Sequence, residues 1–398
     1  MSESPKQSPV TIFLAFLKLG LTAFGGPIAH IGFFRDEFVS RRRWLDENTF
    51  AQLLAVCQFL PGPASSQMGF AIGLSKGSWL GAIAAFIAFT LPSALLLFAF
   101  AGFAYLLDGQ TGAAIINGLK LVAVAVVAHA VWGMAQKLTP DWPKRGIALI
   151  ALLILIFISM AWIQLAVIAL GAVLGLWLCK ARQHQSITSF DLPYGRQLGW
   201  LFLALFSILL IISISMLGGN ASPDNVFAAF YQAGALVFGG GHVVLPLLEQ
   251  STVANGWLTT DSFLAGYGAA QAVPGPLFTL STYLGAEINT GLAPGWTALI
   301  ATLAIFLPGF LLLLAVLPFW SKLAEMPNAG AAIAGVNAAV VGLLAAALYD
   351  PIFTEGVRHW ADLLIAVGGF VILAVLKRSA LWAVLFCVVG AVLLNTLM

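Results

Sequence analysis

The chain has 398 residues, of which 61% are hydrophobic and only 9% charged, with a formal net charge of +2. That composition excludes a soluble globular domain and gives no basic surface for nucleic acid. Cys57, Cys179 and Cys387 are too scattered for a disulfide framework or a thiolate site, so neither a metal nor a cofactor is expected.

The N-terminal stretch MSESPKQSPV is short, polar and weakly basic, and no small-residue cleavage site follows a brief apolar core, so the first apolar segment is expected to remain. That segment carries Lys18 and is interrupted by FGGPIAH, where Gly25, Gly26 and Pro27 break the helix ahead of His30. A basic loop follows, with Arg35, Arg41, Arg42 and Arg43, and then Trp44-Leu45. The second segment runs to Gln58 and breaks at Pro61-Gly62-Pro63, restarting with Ala64, Ser65, Ser66 and Gln67. Leu91-Pro92 reads as an ordinary kink. Asn117 and Lys120 open a fourth segment, and Lys137, Lys144 and Arg145 follow it. Beyond the neutral turn Met160-Ala161-Trp162, residues 180–196 form the longest run without apolar character inside the chain. An apolar run at 198–217 then stands alone.

After it the pattern begins again. Gly20 and Phe24-Gly25-Gly26 align with Gly234 and Phe238-Gly239-Gly240, with Gly241 extending the second break before His242. Trp44-Leu45 aligns with Trp257-Leu258, Phe50 with Phe263, and Gln58 with Pro61-Gly62-Pro63 aligns with Gln271 and Pro274-Gly275-Pro276. Leu91-Pro92 matches Leu307-Pro308, and Gly118-Leu-Lys matches Gly335-Val-Asn. The expected fold is an all-α polytopic membrane protein of about thirteen apolar segments. Its expected units are a first repeat at 1–180, a linker with one unpaired helix at 181–222, and a second repeat at 223–398.

One unpaired crossing turns the second copy upside down, which is the inverted-repeat plan of many secondary transporters. The placement of Lys and Arg agrees, because basic residues collect in cytoplasmic loops. The Arg35–Arg43 loop is basic whereas its counterpart, residues 249–261, has no Lys or Arg; at the last turn the bias reverses, with Lys377-Arg378 against a neutral partner. A parity problem remains if every segment spans. It is removed if the first two segments of each copy are re-entrant hairpins, broken at GGP and PGP; the alternative has all of them spanning.

Irregular backbone at membrane depth is tolerated only where it is buried in protein or lines a wet cavity. Helix ends created there present N–H groups with partial positive charge, which suit an oxyanion. The expected binding residues are Lys18, Gly25, Gly26, Pro27, Gln58, Pro61, Gly62, Pro63, Ser65 and Ser66 in the first copy, with Gly239, Gly240, Gly241, Gln271, Pro274, Gly275 and Pro276 in the second. Thr279 is expected to aim its hydroxyl the same way. His30, Arg35, His242 and Glu249 are candidates for proton coupling or anion attraction, set against a packing role for each histidine and a solvated extracellular charge for Glu249. Asn117, Lys120 and Asn337 are expected to cluster. Trp44, Trp257 and Trp320 are expected to mark the headgroup belt.

At FGGPIAHIGFF, RRRWLDE and CQFLPGP, with FGGGHVVLPLLE and QAVPGP in the second half, the sequence resembles the chromate ion transporter family in its long two-domain form, from about Thr11 to the C-terminus. The resemblance implies export of chromate from the bacterial cytoplasm across the inner membrane, driven by the proton motive force and conferring chromate resistance, with sulfate as the similar competitor. It implies chromate or sulfate and protons as partners within the lipid bilayer; a homodimer is compatible with it. Read without the resemblance, the residues leave chromate, sulfate or another oxyanion open, and a passive anion channel as well. An enzyme is not expected, since no HExxH, GxSxG or phosphate-binding loop occurs.

Overall fold

A computed structural model describes residues 6–24, 26–103, 109–158, 163–179, 190, 192–216, 219–238, 241–323 and 326–397. Among them every regular element is helical. Five helical stretches are long and apolar enough to cross a bilayer, the longest being Ala64–Phe103. The Met160-Ala161-Trp162 turn and most of the 180–196 linker lie outside the described residues.

The first copy opens with α1 (Pro9–Thr22) and α2 (Gly26–Arg35), flanking the FGGP break. Ser8 starts α1 by accepting the Thr11 N–H, with Pro9 at the first helical position. α3 (Glu47–Phe59), capped by Asp46, leads to the PGP turn and into α4 (Ala64–Phe103). α4 is two helices joined at a bend, where Ser78 has φ 56° and Gly73 lies against the backbone of Gly81. α5 (Gln110–Leu138), α6 (Trp142–Phe157) and α7 (Ile163–Leu178) complete the copy, and α8 (Arg196–Ser215) is the solitary helix.

The second copy repeats the order. α9 (Pro223–Leu236) has the same Ser-Pro start as α1, and a 3-10 turn precedes α10 (Val244–Thr252). α11 (Thr260–Ala272) and α12 (Leu280–Glu287) flank the second PGP turn, and α13 (Pro294–Val316) matches the outer part of α4. The short α14 (Trp320–Leu323) precedes α15 (Pro327–Ala347), which matches α5. The one-turn α16 (Thr354–Gly356), α17 (Trp360–Ala374) and α18 (Ala380–Leu397) end the chain.

At the expected 1.5 Å per residue, the 14, 10 and 13 residues of α1, α2 and α3 extend about 21, 15 and 20 Å, well short of a hydrocarbon core of about 30 Å. The Gln7 N–H donates to Lys76 O at 2.8 Å, which places the start of α1 beside the bend in α4. In the second copy the Trp257 indole donates to Gly219 O, joining the α10–α11 loop to the approach to α9.

Within each copy, matched glycines let helices touch. Gly20 of α1 sits on the Ala88 and Phe89 carbonyls of α4, and Gly234 of α9 sits on Ile305 of α13. The last helices of each copy pack on the other copy: α6 and α7 on α15, and α17 and α18 on α5. Gly118 of α5 meets Val388 of α18, while its repeat partner Gly335 of α15 meets Gly171 and Gly175 of α7. The two copies are therefore interlocked.

The expected tryptophan belt falls on other residues. Trp44 is buried and stacks on Phe38, and Trp320 is buried against Phe59. Trp132, Trp142, Trp177, Trp200, Trp296, Trp360 and Trp382 are exposed, suited to an interface where an amphipathic ring contacts both media.

Candidate functional site

The two PGP turns cross over to the opposite copy. Gly62 has φ 118° and Gly275 φ 105°, in the region that favours glycine. The Gly62 N–H donates to Val237 O at 2.7 Å, and the Gly275 N–H donates to Ala23 O at 3.0 Å. Val237 and Ala23 are the last residues before Phe238 and Phe24, so each PGP turn is tied to the glycine break of the other half. The flanking prolines, Pro61 with Pro63 and Pro274 with Pro276, hold these turns and supply no competing N–H.

Pro92 and Pro308 do more than the kinks expected of them. A Cβ on Gly62 would lie 3.0 Å from the Cα of Gly309, and one on Gly275 would lie 2.9 Å from the Ser93 hydroxyl. The residue after each helix proline thus seats the other copy's turn. Buried Gln67 links the same parts, its amide donating to Pro61 O at 3.0 Å and Gly309 O at 2.9 Å. Neither Ser93 nor Gly309 carries a signal in the sequence beyond its place after a repeated proline.

His30 is fully buried, its Nε2 lying 3.1 Å from Ala23 O and its Nδ1 3.4 Å from the Ser65 hydroxyl. A carbonyl accepts only, so Nε2 carries the proton and Nδ1 receives Ser65. His242 differs: its Nδ1 is 2.7 Å from the Tyr267 hydroxyl. The two histidines thus sit in matched places with different partners.

The amides of Gly62 and Gly275 are committed to the cross-copy bonds. The bare donors sit one turn on, at the start of α4, where Gln67 N–H is the first to pair within the helix and Ala64, Ser65 and Ser66 precede it. Beside them the Ser66 hydroxyl and Gln67 Oε1 are buried without a partner, as are Gln271 Nε2, Gln232 Oε1 and Ser281 Oγ elsewhere in the second copy. Thr279 departs from expectation, since its hydroxyl donates to Pro276 O in its own turn.

Other expected residues lie apart. Lys18 is half exposed on α1 and pairs at 3.8 Å with Glu37, a buried carboxylate that also binds Arg41 and Arg42. Arg35 pairs with Glu47 at the surface. Gln58 is exposed. Glu249, expected to be a solvated charge, is half buried and shares a cavity of about 400 Å³ with Asp350 and Gln164. Gly26 and Gly241 are described at the ends of the breaks, Gly26 with φ 76°. Gly25, Gly239 and Gly240 lie outside the described residues, as does the Pro27 side chain. Asn117 and Lys120 line a larger cavity of about 620 Å³, whereas Asn337 is on α15 and not in its wall. Neither cavity is lined by the PGP turns. Among the described residues, no group of three or more His, Cys, Asp or Glu could hold a metal ion.

Spanning helices, two matched copies and broken helices buried against each other at the junction define a multi-pass membrane protein built on a transporter plan. The sequence profile described as Chromate transporter matches residues 10–176 and 225–393, the two copies on either side of α8, so the chain belongs to the chromate transporter family. It is 30% identical to a chromate transport protein of Pseudomonas aeruginosa over 87% of this chain and 82% of that one. It is 29% identical to a probable chromate transport protein of Synechococcus elongatus over 84% and 82%, and 27% identical to a chromate transport protein of Cupriavidus metallidurans over 85% and 81%. No solved structure matches the chain.

Proposed function

We propose that the protein is a secondary active transporter that moves chromate out of the bacterial cytoplasm, driven by the proton motive force, with sulfate as the chemically similar competitor. The observation that carries the site is the reciprocal pair of bonds from Gly62 to Val237 and from Gly275 to Ala23. Through them the broken helices of both copies share one junction at the middle of the chain's packing. The first backbone amides of α4, with the unpartnered Ser66 hydroxyl, offer hydrogen-bond donors to a tetrahedral dianion without a fixed cation. Close family relatives named for chromate transport support the choice of anion.

In this reading the two halves are inverted and α1–α2, α3 with the first arm of α4, and their second-copy equivalents are hairpins that enter and leave on one side. The bond between Gln7 and Lys76 supports it, because it joins the start of α1 to the end of the second hairpin. His30 and His242 are the proton-coupling candidates, since each is held by defined partners near a break, His30 by Ala23 O and Ser65 and His242 by Tyr267.

The test is chromate uptake into everted membrane vesicles, energised and then uncoupled, with and without excess sulfate. Uptake that collapses on uncoupling and is competed by sulfate is expected. Flux indifferent to the proton gradient would identify a channel, and no flux would remove chromate as the substrate.

A further inference from the structure

The two halves are alike in sequence but not in how their second hairpins are packed. In the second copy α11 lies close along α5, with Gly268 against the Leu119 backbone. In the first copy α3 has no comparable packing on α15 among the described residues. The difference follows one helix face. Asp261, Leu264, Gly268 and Gln271 recur at helical spacing on α11; Asp261 and Gly268 meet Lys120 and Leu119 of α5, and Leu264 and Gly268 are buried. Their repeat partners are Asn48, Ala51, Ala55 and Gln58, of which Asn48, Ala51 and Gln58 are exposed and Ala55 is half buried.

An ion pair marks the packed junction. Lys120, with a side chain only 3% exposed, donates to Asp261 at 2.7 Å, and Arg358 approaches the same carboxylate oxygen at 3.6 Å. At the open junction the partners of Lys120 and Asp261 are Asn337 and Asn48, which carry no charge. Asn337 Oδ1 is buried without a partner. Gln58, next to the PGP turn, is exposed, and an amide turned to lipid is unfavourable.

We propose that the structure holds an inward-facing state in which the Lys120–Asp261 pair is an outer latch between the halves, while the face of α3 from Asn48 to Gln58 lines the open inner path. This rests on the inverted-hairpin reading above. Opening outward separates α11 from α5, breaks the ion pair inside the 620 Å³ cavity and uncovers Lys120. The same rearrangement closes α3 onto α15 and gives Asn337 a partner in Asn48. A charged latch on one side and a neutral one on the other sets the resting direction of the site.

The experiment uses the full chain in vesicles. Lys120→Cys combined with Asp261→Cys is bridged by a short bifunctional thiol reagent, with each single variant as control. Chromate uptake is expected to fall at least about tenfold on bridging and to return on cleavage of the bridge, as for a blocked conformational step. Undiminished uptake in the bridged protein would overturn the latch. In a second arm, Lys120→Met is expected to slow labelling of Ala51→Cys by an impermeant maleimide from the cytoplasmic side and to speed labelling of Ala265→Cys from the outer side. Lys120→Arg is expected to leave both rates near those of the natural chain. Unchanged rates in Lys120→Met would reduce the pair to a packing contact. This arm needs no transport, so absence of chromate flux in the natural chain would count against the substrate and leave the labelling to decide the latch.

Discussion

Gly62 and Gly275 each meet two requirements at once. Their positive φ is a conformation that other residues resist, and a Cβ on either would crowd its neighbour, Gly309 at 3.0 Å or the Ser93 hydroxyl at 2.9 Å. Gly62→Ala and Gly275→Ala are each expected to destabilise the protein by about 1–3 kcal/mol and to abolish flux, read by thermal unfolding in detergent beside vesicle uptake. Gly26→Ala, at an equally positive φ but with open space around its Cβ position, meets only the conformational cost and is expected to be milder. If all three behaved alike, close approach between the halves would have no part in the effect. The importance of these glycines was legible in the repeated PGP pattern. What each one touches was not, since Ser93 and Gly309 are 182 and 247 residues away along the chain (275 − 93 and 309 − 62).

At the scale of elements, short helices and their end contacts replace a count of spanning segments. A cysteine placed at Arg42, in the loop between α2 and α3, is expected to react with an impermeant reagent from the cytoplasmic side only. Reaction from outside would require α1 and α2 to span together in an odd number of crossings and would sink the hairpin arrangement. The Ser8-Pro9 and Ser222-Pro223 starts show why boundaries were readable: a capping hydroxyl and a proline act on their own turn. The bend at Gly77-Ser78 was less readable, because a continuous apolar run hides a change of direction that the contact between Gly73 and Gly81 imposes. Tryptophans misled for a related reason, as Trp44 and Trp320 find buried aromatic partners that only packing supplies.

For the whole molecule, interlocking means that neither half covers its own core. α6 and α7 leave their own copy to pack on α15, and α17 and α18 do the reverse on α5. Residues 1–190 and 191–398 made as separate chains are expected to be degraded or aggregated when produced singly, and to co-purify and restore uptake when produced together. A stable, monodisperse single half would contradict the interlocked packing. By itself the sequence determined the all-helical membrane character, the duplication about a solitary helix, the positions of the breaks and the family resemblance, because composition, helix caps and Gly-Pro chemistry act over a few residues. Only the tertiary structure decided that each break is bonded to the opposite half, that Lys18 belongs to a surface cluster around Glu37, and that Lys120 meets Asp261 at one junction but has no charged equivalent at the other. A repeat in sequence states which residues are alike. Which residues meet depends on how helices from distant parts of the chain find space beside one another.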